Sequence, residues 1–144
     1  AKVVEETQVR HPTRVLRLES AGDFQGSWDE GRMGQLLSNL LGNALLYGAR
    51  DSDITTRMWS TPGHVSFSVH NRGRPIAPAE MERIFRPLER GAQSEGERQE
   101  RTGLGLGLYI CREIVRSHGG TLLLDSSAEA GTTFTVTLPR AQPA

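Results

Sequence analysis

An α/β two-layer sandwich is the fold class this sequence predicts, and three observations predict it. One long segment repeats its apolar residues at helical spacing, and five short segments read as strands. Helical segments and antiparallel-type hairpins also segregate along the chain, which favours helices packed on a sheet. The 144 residues show no internal repeat and suit a single domain.

Taken in order, Ala1–Arg10 is polar and lacks the apolar core of a signal peptide. Residues 11–20 read as a strand whose apolar part is Val15, Leu16 and Leu18. Gly22, Asp23, Gly26 and Ser27 make a turn cluster, after which Asp29 is placed to cap a helix through Tyr47, closed by Gly48. Met33, Leu36, Leu37, Leu40, Leu41 and Ala44 fall at i, i+3, i+4, i+7, i+8 and i+11, one face of that helix. Strands follow at Asp53–Ser60 and His64–His70, joined through Thr61-Pro62-Gly63; in the second, Val65, Phe67 and Val69 alternate with Ser66 and Ser68. Asn71–Ile76 reads as a loop, and Pro78–Phe85 as a short helix opened by proline. Residues 86–102 carry arginine, glutamate and glycine with almost no apolar content, which predicts a mobile loop. Helical spacing returns over Leu106–His118 and ends at Gly119-Gly120. Thr121–Ser126 and Thr132–Leu138 are the last strands, the second alternating Phe134, Val136 and Leu138; residues 139–144 read as a frayed end.

Composition narrows the function. A hydrophobic share of 36% with 24% charged residues is that of a folded chain. No apolar run reaches the ~18–20 residues of a membrane helix. Zero formal net charge gives nucleic acid no electrostatic footprint. The single cysteine, Cys111, excludes an internal disulfide and a multi-cysteine metal site, and reads as a core residue. Lys2 is the only lysine among 17 basic residues, so a P-loop or Schiff-base chemistry has no lysine to use. Glycine is in excess, 16 residues, and six of them crowd into 103–131.

Three segments can carry chemistry. Gln35, Asn39, Asn43 and Tyr47 form a polar row at four-residue spacing beside the apolar stripe. An asparagine carbonyl is a hard neutral oxygen ligand suited to Mg²⁺ already carrying phosphate oxygens, although such amides equally well solvate a helix edge. His70-Asn71-Arg72-Gly73-Arg74-Pro75-Ile76 follows an alternating strand. A polar side chain there can hydrogen-bond a base edge, or the segment is a plain turn. In Thr102-Gly103-Leu104-Gly105-Leu106-Gly107-Leu108 alternate glycines lead into a helix N-terminus, a setting for converging N–H groups and a bound phosphate. A dinucleotide fingerprint would need glycine where Leu108 stands. His11, His64, His70 and His118 show no metal-ligand spacing.

Together and in this order, the segments resemble the catalytic ATP-binding domain of a bacterial two-component sensor histidine kinase, in the gyrase-like ATPase superfamily with the Bergerat fold. Gln35–Ala44 resembles its N box, Val69–Ile76 its G1 box, Ile84–Arg90 its F box and Gly103–Ile110 its G2 box; His118-Gly-Gly and Gly131-Thr-Thr-Phe134 also match. The resemblance covers roughly residues 11–139 and implies one domain over 1–144. It implies a mixed, mostly antiparallel sheet covered on one face by about three helices, with residues 86–102 as a flexible ATP lid. Asn43 would then ligate Mg²⁺ and Asn39 line the phosphates, with Arg90 a phosphate contact; these three form the expected catalytic set. Asn71 would read the adenine amino group. Tyr47, Gly73, Ile76, Phe85, Arg101, Gly103, Leu104, Gly105, Leu106, Gly107, Leu108 and Thr133 complete the expected nucleotide site.

The resemblance further implies transfer of the ATP γ-phosphoryl group to a histidine on a separate dimerisation domain, with a response regulator downstream. The full-length protein would be a cytoplasmic or membrane-anchored homodimer, and the isolated domain a monomer that is inactive without its acceptor. Relatives that hydrolyse ATP carry glutamate where Asn39 stands; an amide cannot deprotonate water. Three departures favour the alternative of a regulatory ATP-binding module without transfer activity. Asn71 replaces the usual aspartate, which forfeits charge assistance of about 1 kcal/mol. Pro75 replaces a glycine, and Leu46 a lysine, which leaves Arg90, Arg98 or Arg101 to supply a phosphate-facing cation.

Overall fold

A computed structural model of the chain describes residues 2–21, 30–49, 52–73, 75–81 and 108–140. In chain order these hold α1 (Lys2–Arg10), β1 (Leu16–Ala21), α2 (Glu30–Tyr47), β2 (Ile54–Ser60), β3 (His64–Asn71) and α3 (Pro78–Met81). A further helix, α4, occupies residues 108–117, and β4 (Thr121–Ser127) and β5 (Gly131–Pro139) close the chain. The strands make one mixed sheet in the order β1-β2-β3-β5-β4, with β1 parallel to β2 and every other pair antiparallel.

Three expectations shift. The first strand begins at Leu16, not near residue 11, because residues 11–14 close a turn through the Arg14 N–H and the His11 carbonyl. Lys2–Arg10, which has no helical stripe, is a helix: Val4 is buried in the core, Val3 packs against it, and Thr7 Oγ1 bonds back to the Val3 carbonyl at 2.8 Å. The last strand starts one residue early, at Gly131. Asp29, the segment 82–107 with the predicted lid and glycine run, and residues 141–144 lie outside the described residues.

The core lies between the helices and one face of the sheet. Leu36, Leu37, Leu40, Leu41 and Ala44 of α2 meet Leu108, Cys111, Ile114 and Val115 of α4 and the inward residues of the strands. Direct partners on neighbouring strands share a face, so the register sorts that inner face into rows across β3, β5 and β4. Phe67–Val136–Leu122 and Val69–Phe134–Leu124 are apolar rows. The next row is Asn71–Thr132–Ser126, which is polar. A helix-covered apolar face therefore ends, at one edge only of these three strands, in hydrogen-bonding side chains.

Candidate functional site

The polar row of α2 turns from solvent into the interior as the helix proceeds. Gln35 is exposed, Asn39 half-buried and Asn43 only 1% exposed. Asn43 Oδ1 and Nδ2 are both buried, and neither has a hydrogen-bond partner among the described residues. An unsatisfied buried polar group costs about 1–3 kcal/mol, so this amide is held at a loss unless something else meets it. Asn39 faces α4: its side chain hydrogen-bonds the Cys111 thiol. Burial pushes that thiol from 9.0 up to about 12, with the bond to Asn39 pulling the other way. Cys111, whose Sγ donates to the Leu36 carbonyl at 3.7 Å, is thus a protonated core residue and no nucleophile.

The C-terminal end of α2 is fastened to the end of β3. Gly48 bridges Gly73, and the Ala49 N–H donates to the Arg72 carbonyl at 2.7 Å. A Cβ on Gly48 would stand 2.5 Å from the Ala44 carbonyl oxygen and 3.2 Å from Asn71 Cβ, so only glycine lets helix and strand approach this closely. Asn43 lies five residues back from that contact, about 7.5 Å along the helix axis. Asn71 is 3% exposed; its Nδ2 donates a long 3.5 Å bond to the Arg72 carbonyl, and its Oδ1 accepts none among the described residues. Beside it, Thr132 Oγ1 and Ser126 Oγ are 2.6 Å apart, and the Ile76 N–H donates to Ser126 Oγ at 2.8 Å. Gly131 carries the chain into β5 at φ +85°, where a Cβ would come within 2.5 Å of the Asn71 carbonyl oxygen.

The structure thus brings Asn43, Asn71, Gly73 and the end of α2 at Tyr47 to one end of the sandwich. Ile76 and Leu108, expected as ligand contacts, are buried in the core at 7% and 2% exposure, so their side chains serve packing there. Thr133, also expected at the nucleotide site, pairs with His70 on the face of the sheet away from the helices. The threonine beside Asn71 is Thr132, buried at 4%. The signal was present, since Thr132 has the same parity as Phe134, Val136 and Leu138 in an alternating strand. Ser126, which holds the Ile76 loop to that threonine, had no sequence signal. Phe85, Arg90, Arg101, Gly103, Leu104, Gly105, Leu106 and Gly107 lie outside the described residues.

Chemically, the described residues at this end offer neutral amides and hydroxyls. No group of three or more His, Cys, Asp or Glu is placed to hold a metal ion among the described residues. The residues do fit a Mg²⁺ that arrives with its own anionic oxygens, because Asn43 presents an uncommitted carbonyl oxygen. No described helix is long and apolar enough to cross a membrane.

Residues 28–142 match the family model for the histidine kinase-, DNA gyrase B- and HSP90-like ATPases. The histidine protein kinase DivJ of Caulobacter vibrioides is 34% identical over 91% of this chain, and the sensor histidine kinase CusS of Escherichia coli K12 is 38% identical over 88%. The chain spans about a quarter of the length of each, 24% and 26%. Among solved structures, the catalytic domain of histidine kinase ThkA superposes with a TM-score of 0.76 at 27% identity, covering 97% of this chain and 91% of that one. The mycobacterial sensor histidine kinase MprB shares the fold, with a TM-score of 0.78 at 23% identity over 99% of this chain and 92% of that one. An inner face ending in buried amides, a mixed sheet of this order and a match over most of the chain converge: this chain belongs to the histidine kinase-, DNA gyrase B- and HSP90-like ATPase family.

Proposed function

We propose that the chain is the catalytic ATP-binding domain of a sensor histidine kinase, cytoplasmic, and working on a phosphoacceptor domain elsewhere in a homodimeric full-length protein. The observation that carries this is Asn43, a buried amide with neither polar atom partnered among the described residues. A nucleotide phosphate with its Mg²⁺ supplies what that amide lacks: a cation for Oδ1 and an anionic oxygen for Nδ2. Asn71, with Thr132 beside it, takes the purine edge, while Asn39 is assigned to the phosphates by its place in the N-box-like segment. Arg90, Arg101 and the glycines at 103, 105 and 107 are proposed to close over the phosphates, with Phe85 at the base of the lid.

Phosphoryl transfer of this type depends mainly on positioning and charge neutralisation. An acceptor imidazole nitrogen forms the new P–N bond as the bond from γ-phosphorus to the bridging oxygen breaks, and ADP leaves. Asn43 would hold a Mg²⁺ through Oδ1, and the ion would supply charge neutralisation on the phosphates. Asn39 cannot take a proton from water, so hydrolysis is not favoured while ATP waits.

Asn43→Leu tests the reading. Removing an unpartnered buried amide for an apolar side chain of similar size should leave the thermal midpoint unchanged or higher. Titration with ADP and Mg²⁺ should show affinity lowered at least ~100-fold, by loss of ligand and phosphate contacts together. Wild-type affinity in the variant would overturn the placement of the phosphates. The neutral Asn71 keeps a regulatory module without transfer activity as the second reading. Labelled ATP given to a chain extended upstream separates them: label on histidine supports the kinase, tight binding without label the module.

A further inference from the structure

Asn71 differs from a carboxylate in more than charge, and its surroundings leave the difference usable. A carboxylate only accepts hydrogen bonds, whereas an amide presents an acceptor and a donor side by side. Little fixes which end points where. Nδ2 has one long bond, 3.5 Å to the Arg72 carbonyl, and Oδ1 accepts none among the described residues. Thr132 and Ser126 are bonded to each other and not to Asn71. On the side of Nδ2 stands Gly48, where a Cβ would approach that nitrogen to 3.4 Å and crowd its movement. The terminal torsion of asparagine is broad and roughly two-fold, so turning the amide over is a small change.

We propose, resting on the nucleotide reading above, that Asn71 makes this site accept both 6-amino and 6-oxo purine nucleotides. The two base edges are mirror patterns. Adenine donates from its 6-amino group and accepts at N1; hypoxanthine and guanine accept at O6 and donate from N1–H. With Oδ1 towards the 6-position, Asn71 accepts from the amino group and its Nδ2 donates to N1. Turned over, Nδ2 donates to O6 and Oδ1 accepts from N1–H. Both pairings use the same two atoms, which the turn exchanges in place. A carboxylate at this position would meet O6 with a second acceptor and repel it.

ADP and IDP separate the claim cleanly, because they differ only at this base edge and IDP lacks the 2-amino group of guanine. Calorimetric titration of the 144-residue chain with each, in Mg²⁺, should give dissociation constants within ~10-fold of one another. In Asn71→Asp the ratio of the IDP constant to the ADP constant should rise by ~10-fold or more. The ratio is the readout, so a general loss of stability in the variant does not imitate it. A wild-type preference for ADP beyond that range overturns the proposal, and so does an unchanged ratio in the variant. Binding of ADP with rejection of IDP sinks this inference alone; binding of neither sinks the nucleotide reading beneath it.

Discussion

Among the described residues, Asn43 and Thr56 both carry buried side-chain polar atoms without a hydrogen-bond partner, and they call for opposite interpretations. Asn43 lies on α2 five residues before its contact with the end of β3, and its open hydrogen-bonding capacity is what the proposed nucleotide phosphates and Mg²⁺ would satisfy. Thr56 lies within β2, 1% exposed and paired across the sheet with Val69, and its Oγ1 has no partner among the described residues. No ligand can be argued for at that apolar position. Thr56→Val keeps the shape and removes the stranded hydroxyl, so stability should rise by about 1 kcal/mol with nucleotide affinity unchanged. Urea denaturation checks the first part and ADP titration the second; a destabilised variant would show that the hydroxyl is satisfied by water or a residue outside the described set.

At the level of elements, α2 depends on a side chain far away in sequence. It has no basic residue in its last turn, where the carbonyls are unpaired and the helix dipole is negative. Arg14, on the connection between α1 and β1, reaches in to donate from Nη1 to the Leu45 carbonyl at 3.0 Å and from Nη2 to the Ala49 carbonyl at 3.2 Å. Gln8 of α1 holds the same connection, donating to the Arg14 carbonyl at 2.6 Å and accepting from the Leu16 N–H at 3.1 Å. The end of α2 that meets Asn71 is therefore tied, through Arg14, to the helix that precedes the sheet. Arg14→Ala should cost about 1–2 kcal/mol, for loss of a partly buried cation at a helix C-terminus, and Arg14→Lys should recover part of it. Equal midpoints for wild type and Arg14→Ala in urea would show that water replaces the cap at no cost.

For the molecule as a whole, the proposed nucleotide end has no histidine among the described residues in a suitable place to act as acceptor. His118 is buried, with Nδ1 2.8 Å from the Ile114 carbonyl, at the end of α4. His70 faces away from the helices, with Nε2 2.7 Å from the Ala130 carbonyl. His64 and His11 are exposed, at the start of β3 and after α1. The isolated chain, incubated with labelled ATP and Mg²⁺, should therefore take no acid-labile label. Stoichiometric label on any of these four would break the proposed division between an ATP-holding domain and a separate acceptor.

Much of this was legible in the residues because it is local or periodic. The apolar stripe of α2, the alternation of β3 and β5 and the amides at four-residue spacing follow from the repeat lengths of helix and strand. The motif order was enough to point to the family. What periodicity could not say is which members of a polar row are buried: Gln35 and Asn43 look alike in sequence, and only packing on the sheet leaves one in water and the other enclosed. Helix α1 was hidden because its stability comes from Val3 and Val4 against the core and not from a stripe of its own. Arg14 was hidden because its contacts lie 31 and 35 residues away. Sequence by itself determined every described element but α1, pointed to the family through its motif order, and set the chemistry of the amides, since these rest on short-range repeats and residue type. The tertiary structure decided that Asn43 is stranded, that Thr132 and not Thr133 stands beside Asn71, and that Gly48 lets helix meet strand, since each is fixed by long-range register and close approach.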